Sequence, residues 1–154
     1  MQLTQHVPLA VLDGDLLLRL GAAALLGLLL GLDRELRGHA AGMRTHGLIC
    51  LAAAIVTISI FDLYFRLQGE RMDPLRVFEA TGAFVGIIGA GLIVFSRGKV
   101  HNLTTAANLW LAAAVGIACG AGQWPLVAVS SLIAVVLLSV LRLIEPKGHD
   151  RDKF

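Results

Sequence analysis

Charged residues are scarce in this sequence of 154 residues, at 16% of the total against 56% hydrophobic residues. Ordinary soluble domains carry about 25% charged residues. The shortage of charge, together with a mean hydropathy of +0.77, excludes a typical soluble fold and indicates that the bilayer is the solvent. Cysteine is also rare. Cys50 and Cys119 are the only two, so there is no disulfide framework and no thiolate metal site. We expect both thiols to be buried, near opposite membrane faces.

Long apolar stretches separate the clusters of charge. A helix needs about 20 apolar residues to cross the hydrocarbon core, and five stretches approach that length: 16–32, 48–65, 78–95, 106–119 and 124–144. We therefore predict an all-α integral membrane protein. Residues 1–145 would form a bundle of about five transmembrane helices, and 146–154 a short charged cytoplasmic tail. The middle of each span lacks ionisable residues and there is no phosphate-binding loop, so the usual signatures of a proton pump or an ATPase are missing.

The basic residues predict the orientation of the chain. With the N-terminus outside, the outer loops hold only Arg66, Arg71 and Arg76. The inner segments then hold Arg34, Arg37, Arg44, Arg97, Lys99, Arg142, Lys147, Arg151 and Lys153. Because cytoplasmic loops of membrane proteins are enriched in Lys and Arg, this asymmetry predicts an N-out, C-in topology. At the outer side, we expect Glu79 to form a structural ion pair with Arg19 or Arg76.

Small residues recur at every fourth position in three of the spans. Lipid gives helices little hydrophobic reason to associate, so close packing relies on small residues that let backbones approach. We expect the three stripes to meet one another, or to pack between the subunits of a homo-oligomer. They are Ala23, Gly27 and Gly31 in the first span, Gly82, Gly86 and Ala90 in the third, and Ala112, Gly116 and Gly120 in the fourth, with Gly89, Gly91 and Trp110 as further packing candidates.

The segment between the first two spans is the richest in charges of both signs. Asp33 and Arg37 lie one helical turn apart and can pair, whereas Asp33 and Glu35 point to different sides of a continuing helix. The two carboxylates are therefore a poor bidentate clamp for a metal ion. A solvated helix end with structural ion pairs is the simple interpretation, and a binding surface is the functional one.

A second inner loop leads into the fourth span, and Asn102 or Thr104 can cap the helix that begins there. Such helix starts present free amide groups and the positive end of the helix dipole, which favour anions. If Arg34, Arg37, Arg44 and Lys99 gather there, the inner face would suit a phosphate, a carboxylate or an acidic protein segment. The candidate binding residues of both loops are Asp33, Arg34, Glu35, Arg37, Arg44, Thr45, Lys99, Asn102, Thr104, Thr105 and Asn108.

Other kinds of site have less support. Magnesium prefers carboxylates, and Asp33 and Glu35 are the only ones in the inner loops, so they are weak candidates for a Mg²⁺ site. His39, His46 and His101 lack the spacing of a transition-metal motif. An enzyme would need a nucleophile and a base in one place, which the sequence does not indicate. No other cofactor is predicted, and no basic stripe with interleaved aromatic residues indicates nucleic acid.

The motifs of both loops resemble those of the membrane domain of the MgtC/SapB family. The resemblance rests on GLDRELRG at 31–38 and AGMRT at 41–45, on GIIGAG at 86–91, and on LTTAANLW at 103–110 followed by AVGIACG at 114–120. Their order and spacing agree over most of the chain. The sequence departs from the family pattern at Asp33, where the family has Glu, at Asn108, where it has Ser, and in the run 84–91. The resemblance implies a short member without the soluble C-terminal domain of many relatives.

The same resemblance implies a bacterial inner-membrane protein linked to growth at low magnesium and, in pathogens, to survival inside host cells. Some family members resemble regulators of the F-type ATP synthase, and others bear the name of magnesium transporter. We expect a non-enzymatic regulator that acts through another membrane complex and forms homo-oligomers. The alternative is a transporter or channel for Mg²⁺ or a small anion, with its binding site at the cytoplasmic face or the midplane.

Overall fold

Five helices and one short hairpin make up the described part of the chain. The computed structural model describes residues 13–67, 73–96 and 99–144, with side chains as far as residue 137. The helices are α1 (Gly14–Leu36), α2 (Met43–Arg66), α3 (Arg76–Leu92), α4 (Leu103–Gly120) and α5 (Trp124–Ile144). Strands β1 (Val94–Ser96) and β2 (Lys99–His101) form an antiparallel hairpin between α3 and α4. Arg71, Arg97 and the predicted tail at 146–154 lie outside the described residues, and so does the side chain of Arg142.

The five predicted spans all coincide with helices. Helices α1, α2 and α4 are long and apolar enough to cross a membrane. Helix α3 has 17 residues and is about 25 Å long, close to the roughly 30 Å of a hydrocarbon core. It ends at Leu92 rather than at Phe95, because the chain turns there into the hairpin, a departure from the all-α prediction. Large apolar side chains such as Leu25, Phe84 and Leu132 are more than 60% exposed, as lipid contact requires. The N-out, C-in orientation stays a prediction.

Helix α2 packs directly against the backbone of α1. A Cβ added to Gly27 of α1 would lie 2.7 Å from the carbonyl oxygen of His46 and 2.8 Å from the Cα of Gly47. A Cβ on Gly31 would lie 2.6 Å from the Cα of Met43. Since no side chain fits in these places, glycine is what allows the two helices to approach so closely.

Helix α4 packs against α2 in the same way. A Cβ on Gly120 would lie 2.7 Å from the carbonyl oxygen of Ala54, and one on Gly116 would collide with the carbonyl oxygen of Cys50. The core between the three helices is correspondingly made of small side chains, with Ala23, Cys50, Ala54, Ala112 and Cys119 all fully buried. Two of the three glycine stripes are therefore used within the chain, and both pack on α2.

The third stripe is arranged differently from the expectation. Helix α3 packs chiefly on α4 and buries Val77, Thr81, Val85 and Gly89, whereas Gly86 and Ala90 are exposed. A Cβ on Gly86 or Gly91 would meet no atom within 4 Å, and one on Gly82 would meet only Trp110, at 3.6 Å. The three stripes therefore do not meet one another within the described chain, and the other expectation, that Gly86 and Gly91 pack between subunits, stays a prediction. The buried residues of α3 precede those of the glycine stripe by one position, so the two sets lie about 100° apart on the helix. The branched side chains of Val77, Thr81 and Val85 fill the space beside α4. Gly86 and Ala90 therefore point away from it.

Two further expectations are corrected by the packing. Arg19 pairs with Asp15 at 2.7 Å rather than with Glu79, and it donates to the carbonyl oxygen of Gly120 at 3.0 Å, which closes the end of α4. Cys50 and Cys119 belong to one cluster instead of lying near opposite faces, because α4 is displaced along α2 so that Gly116 lies beside Cys50. Both thiols are free.

Candidate functional site

The polar candidate residues gather at one end of the bundle, which we call the loop end. It comprises the end of α1, the loop 37–42, the start of α2, the hairpin and the start of α4. Its centre is Arg34 on α1, which is only 6% exposed. One guanidinium nitrogen of Arg34 donates to the hydroxyl of Thr104 at 3.1 Å and to that of Thr105. A buried guanidinium needs such hydrogen bonds, so Arg34 ties the end of α1 to the start of α4.

The start of α4 is shaped by Asn102, although not as the sequence predicted. Asn102 occupies the N-cap position with a φ of 63°, but its side chain makes no capping hydrogen bond to α4. Its amide nitrogen instead donates to the carbonyl oxygen of Leu92 at 3.1 Å, which closes the end of α3. Thr104 likewise lies beyond the N-cap position, and its hydroxyl accepts from Arg34. The left-handed backbone at Asn102 places its side chain against the preceding helix, and asparagine tolerates this conformation better than most residues.

The two carboxylates of the first loop have separate partners. Asp33 pairs with Arg37 on the next turn at 3.1 Å, as its spacing predicted. Glu35 accepts a hydrogen bond from the backbone amide of Met43 at 3.0 Å, so it satisfies one of the free amides at the start of α2. Their engagement by different partners argues against a shared Mg²⁺ clamp, and the described residues contain no group of three or more side chains arranged to hold a metal ion.

Two histidines are enclosed at the loop end. His46 on α2 is fully buried, with Nδ1 2.8 Å from the carbonyl oxygen of Gly42. His39, in the loop, is half-buried, and its backbone amide donates to the carbonyl oxygen of Arg34 at 3.0 Å. Burial lowers the pKa of His39, and the positive charge of Arg34 lowers that pKa further, so the neutral imidazole is favoured. Sequence patterns suggested only a weak role for these histidines as metal ligands. They did not predict that His46 is fully buried.

The remaining candidates are spread over the loop end. Arg44 and Lys99 are exposed and Thr45 is half-buried, whereas Asn108 lies partly buried on α4. Four basic residues were expected to gather at the start of α4, and a described hydrogen bond places Arg34 there. Arg37 instead pairs with Asp33. The described contacts therefore form a compact tie around Arg34, with the other charges at its rim.

An apolar groove lies away from the loop end, between α3, α4 and α5. Its volume is about 250 Å³, and Gly82 and Trp110 are the predicted packing residues that line it. Other lining residues include Phe78, Ala114, Ile117 and Leu126. The GIIGAG run at 86–91 does not line this groove.

Comparison with known proteins identifies the family. The model of the MgtC family matches residues 20–147, which include most of α1, all of α2 to α5 and the whole loop end. The chain belongs to the MgtC family. It is 38% identical over 148 residues to Protein SapB of Bacillus subtilis (strain 168), an alignment that covers 91% of this chain and 62% of that protein.

Two further relatives have similar identities. The Putative magnesium transporter YhiD of Escherichia coli (strain K12) is 33% identical over 132 residues, or 84% of this chain and 61% of that protein. Protein MgtC of Brucella abortus (strain 2308) is 37% identical over 123 residues, or 80% of this chain and 50% of that protein. The chain thus spans between half and about three fifths of the length of these members of the family. No solved structure matches the chain.

Proposed function

We propose that this member of the MgtC family is a non-enzymatic regulator in magnesium homeostasis, which acts in the bacterial inner membrane through another membrane complex. The F-type ATP synthase is the candidate complex, on the resemblance of family members to its regulators. The family membership supports a magnesium-related membrane role. The packing of α2 favours regulation over transport.

The close contacts of α2 are the observation that carries the proposal. Gly27 and Gly116 lie against backbone atoms of α2, so there is no solute-sized passage between α1 and α2 or between α2 and α4 at these positions. Transporters bind their solutes near the midplane, at broken helices that line a hydrated cavity. Helices α1, α2 and α4 are continuous, and the core cluster between them is apolar and built mostly of small side chains. Such a core suits a rigid scaffold better than a moving gate.

The uncovered face of α3 supports contact with a partner. Gly82, Gly86 and Ala90 have few neighbours within the chain, and Ile87 beside them is 69% exposed. A transmembrane helix that presents small residues allows a second helix to approach its backbone. We propose that this face docks a helix of the partner complex, or of a second copy in a homo-oligomer.

Flux measurement separates the regulator from a transporter. The purified full chain is reconstituted into liposomes that contain a magnesium-sensitive dye, and uptake is compared with protein-free liposomes. We expect no protein-dependent flux. Substrate-dependent transport by the protein alone would refute the regulator proposal.

A variant pair tests the docking face. Gly86→Leu fills the exposed stripe at a position where an added Cβ meets no atom within 4 Å, whereas Leu25→Ala changes an exposed position on α1 and serves as the control. In a deletion strain grown at low magnesium, we expect Gly86→Leu to lose complementation and Leu25→Ala to keep it, at equal protein levels. Crosslinks from position 86 should reach an ATP synthase subunit or a second copy. Full complementation by Gly86→Leu would contradict the docking role.

A transporter or channel is the second candidate, and Arg34 is the observation that favours it. A buried guanidinium beside two threonine hydroxyls at a helix start could select a small anion at the loop end. The flux experiment therefore has a second arm with inorganic phosphate in place of Mg²⁺. Uptake that depends on Arg34 would favour a transporter or channel. If neither Mg²⁺ nor phosphate is taken up, this candidate is excluded.

A further inference from the structure

The hairpin between α3 and α4 has two chemically different faces. Cross-strand partners in an antiparallel pair lie on the same face, and here Phe95 is opposite Val100 while Ser96 is opposite Lys99. Phe95 is 74% exposed and Val100 is 55% exposed, so one face presents an uncovered pair of apolar side chains. The other face carries Ser96, Lys99 and His101, together with Val94, which is 49% exposed. The described chain places no core against either face, since all six strand residues are exposed.

The position of the hairpin relative to the bilayer follows from the helices that carry it. Helix α3 is about 25 Å long, so a bilayer that surrounds it ends close to Leu92. Asn102 holds the base of the hairpin to that residue through its amide. The apolar outer surface of α3, with Phe84 and Ile87 nearly 70% exposed, leads directly to the hairpin. With α3 crossing the bilayer, as the sequence predicts, the hairpin begins close to where the hydrocarbon ends.

Two opposing requirements fix the depth of the hairpin. The outer edges of a two-stranded sheet carry backbone amides and carbonyls without strand partners, and hydrocarbon does not tolerate such groups. Water tolerates them, but water disfavours the exposed Phe95 and Val100. Of water, interface and hydrocarbon, only the interface meets both requirements, because lipid headgroups and their water can satisfy the edges while the apolar pair reaches the upper acyl chains.

We propose that this hairpin is an interfacial lipid-binding element that takes an anionic phospholipid. Its Phe95–Val100 face rests on the acyl chains, and the ammonium group of Lys99 lies beside the lipid phosphate. A basic side chain near an anionic leaflet gains attraction that a zwitterionic lipid does not supply. Lipid contact at the hairpin does not depend on whether the protein regulates or transports.

Tryptophan fluorescence tests the depth of each face. The full chain with Trp110→Phe and Trp124→Phe receives one new tryptophan, by Phe95→Trp or, as the matched control on the other face, by Ser96→Trp. In vesicles of phosphatidylcholine and phosphatidylglycerol, we expect acyl-brominated lipid to quench the Phe95→Trp emission more strongly than that of Ser96→Trp. Aqueous iodide should show the opposite order. If iodide quenches Phe95→Trp and Ser96→Trp equally strongly, the hairpin lies in water and the proposal is overturned. Protection of Phe95→Trp from both quenchers would mean that protein covers the face, and would overturn it too.

Competition between brominated lipids tests the charge. At Phe95→Trp, we expect brominated phosphatidylglycerol to be preferred over brominated phosphatidylcholine by about fivefold, and Lys99→Gln to abolish the preference. Equal affinities in the parent would refute the anionic lipid.

If the tryptophan variants do not fold, the same comparison uses spin-labelled Phe95→Cys and Ser96→Cys. Both native thiols are fully buried, so labelling is selective. Oxygen should relax the label at position 95 more strongly, and a nickel chelate the label at 96. The reverse order, or equal effects at both positions, would overturn the proposal.

Discussion

Replacing Gly27 by alanine should separate α1 from α2. The new Cβ would lie 2.7 Å from both the carbonyl oxygen of His46 and the Cβ of Cys50, about 0.7 Å short of an ordinary contact. The carbonyl belongs to a helix backbone and cannot rotate away. The helices must therefore move apart, and overpacking of this kind costs about 1–3 kcal/mol.

Gly86→Ala is the matched control for this measurement. It makes the same chemical change on an exposed helix position where a Cβ meets nothing within 4 Å. Both variants gain the same helix propensity, about 1 kcal/mol, so the difference between them reports the clash alone. For a chain of this size, the difference in Tm should be roughly 2–12 °C, with Gly27→Ala the lower. Thermal unfolding in detergent, followed by loss of the monodisperse chromatographic peak, gives both values. Equal Tm values would refute the close approach of α1 and α2.

The remaining predictions concern the loop end. Arg34→Met should destabilise the protein by about 2–5 kcal/mol because it removes buried hydrogen bonds to a charged group. The control Arg37→Gln, which breaks an exposed pair, should cost less than about 1 kcal/mol. Similar losses of thermal stability in the two variants would contradict the hydrogen-bonded link between α1 and α4. At Asn102, glycine keeps the backbone conformation but loses the hydrogen bond to Leu92, and alanine loses both, so Tm should fall in the order Asn, Gly, Ala; an alanine variant as stable as the glycine variant would be inconsistent with the φ of 63°. The pKa of His39 is lowered on folding, so the unfolded chain binds the proton more tightly than the folded one. The free energy of unfolding should therefore be highest above the ordinary pKa of 6.5 and should decrease as the pH falls below it. His39→Gln should reduce this pH dependence in unfolding scans, and an unchanged slope would argue against an enclosed neutral imidazole.

Local features of the fold could be predicted because their causes are local. The apolar stretches predicted five helices, and the charges between them predicted where the connections fall. The pair of Asp33 and Arg37 followed from its spacing on one helix, and the structure confirms it. The hairpin was missed because its strands have only three residues each and follow directly on the apolar run of α3.

The partners of single side chains were harder to predict. Asn102 stood at the right position to cap α4, but its left-handed backbone turned the amide towards Leu92. Glu35 was weighed as a metal ligand and is instead hydrogen-bonded to the amide of Met43. Arg34 was one of several arginines in the sequence, and only the approach of α4 buries it beneath Thr105. Each of these contacts joins segments that are distant along the chain or depends on one backbone torsion.

The sequence by itself determined that this protein is a set of apolar helices with polar ends, and that it carries the motifs of its family. The tertiary structure alone decided which face of each helix is packed. The stripe of Gly27 and that of Gly86 have the same spacing, yet one lies against α2 and the other is exposed. In a bilayer, the lipid tails are as apolar as a neighbouring helix, so hydrophobicity cannot identify the packed side. That choice depends on the fit between backbones, which exists only once the helices are assembled.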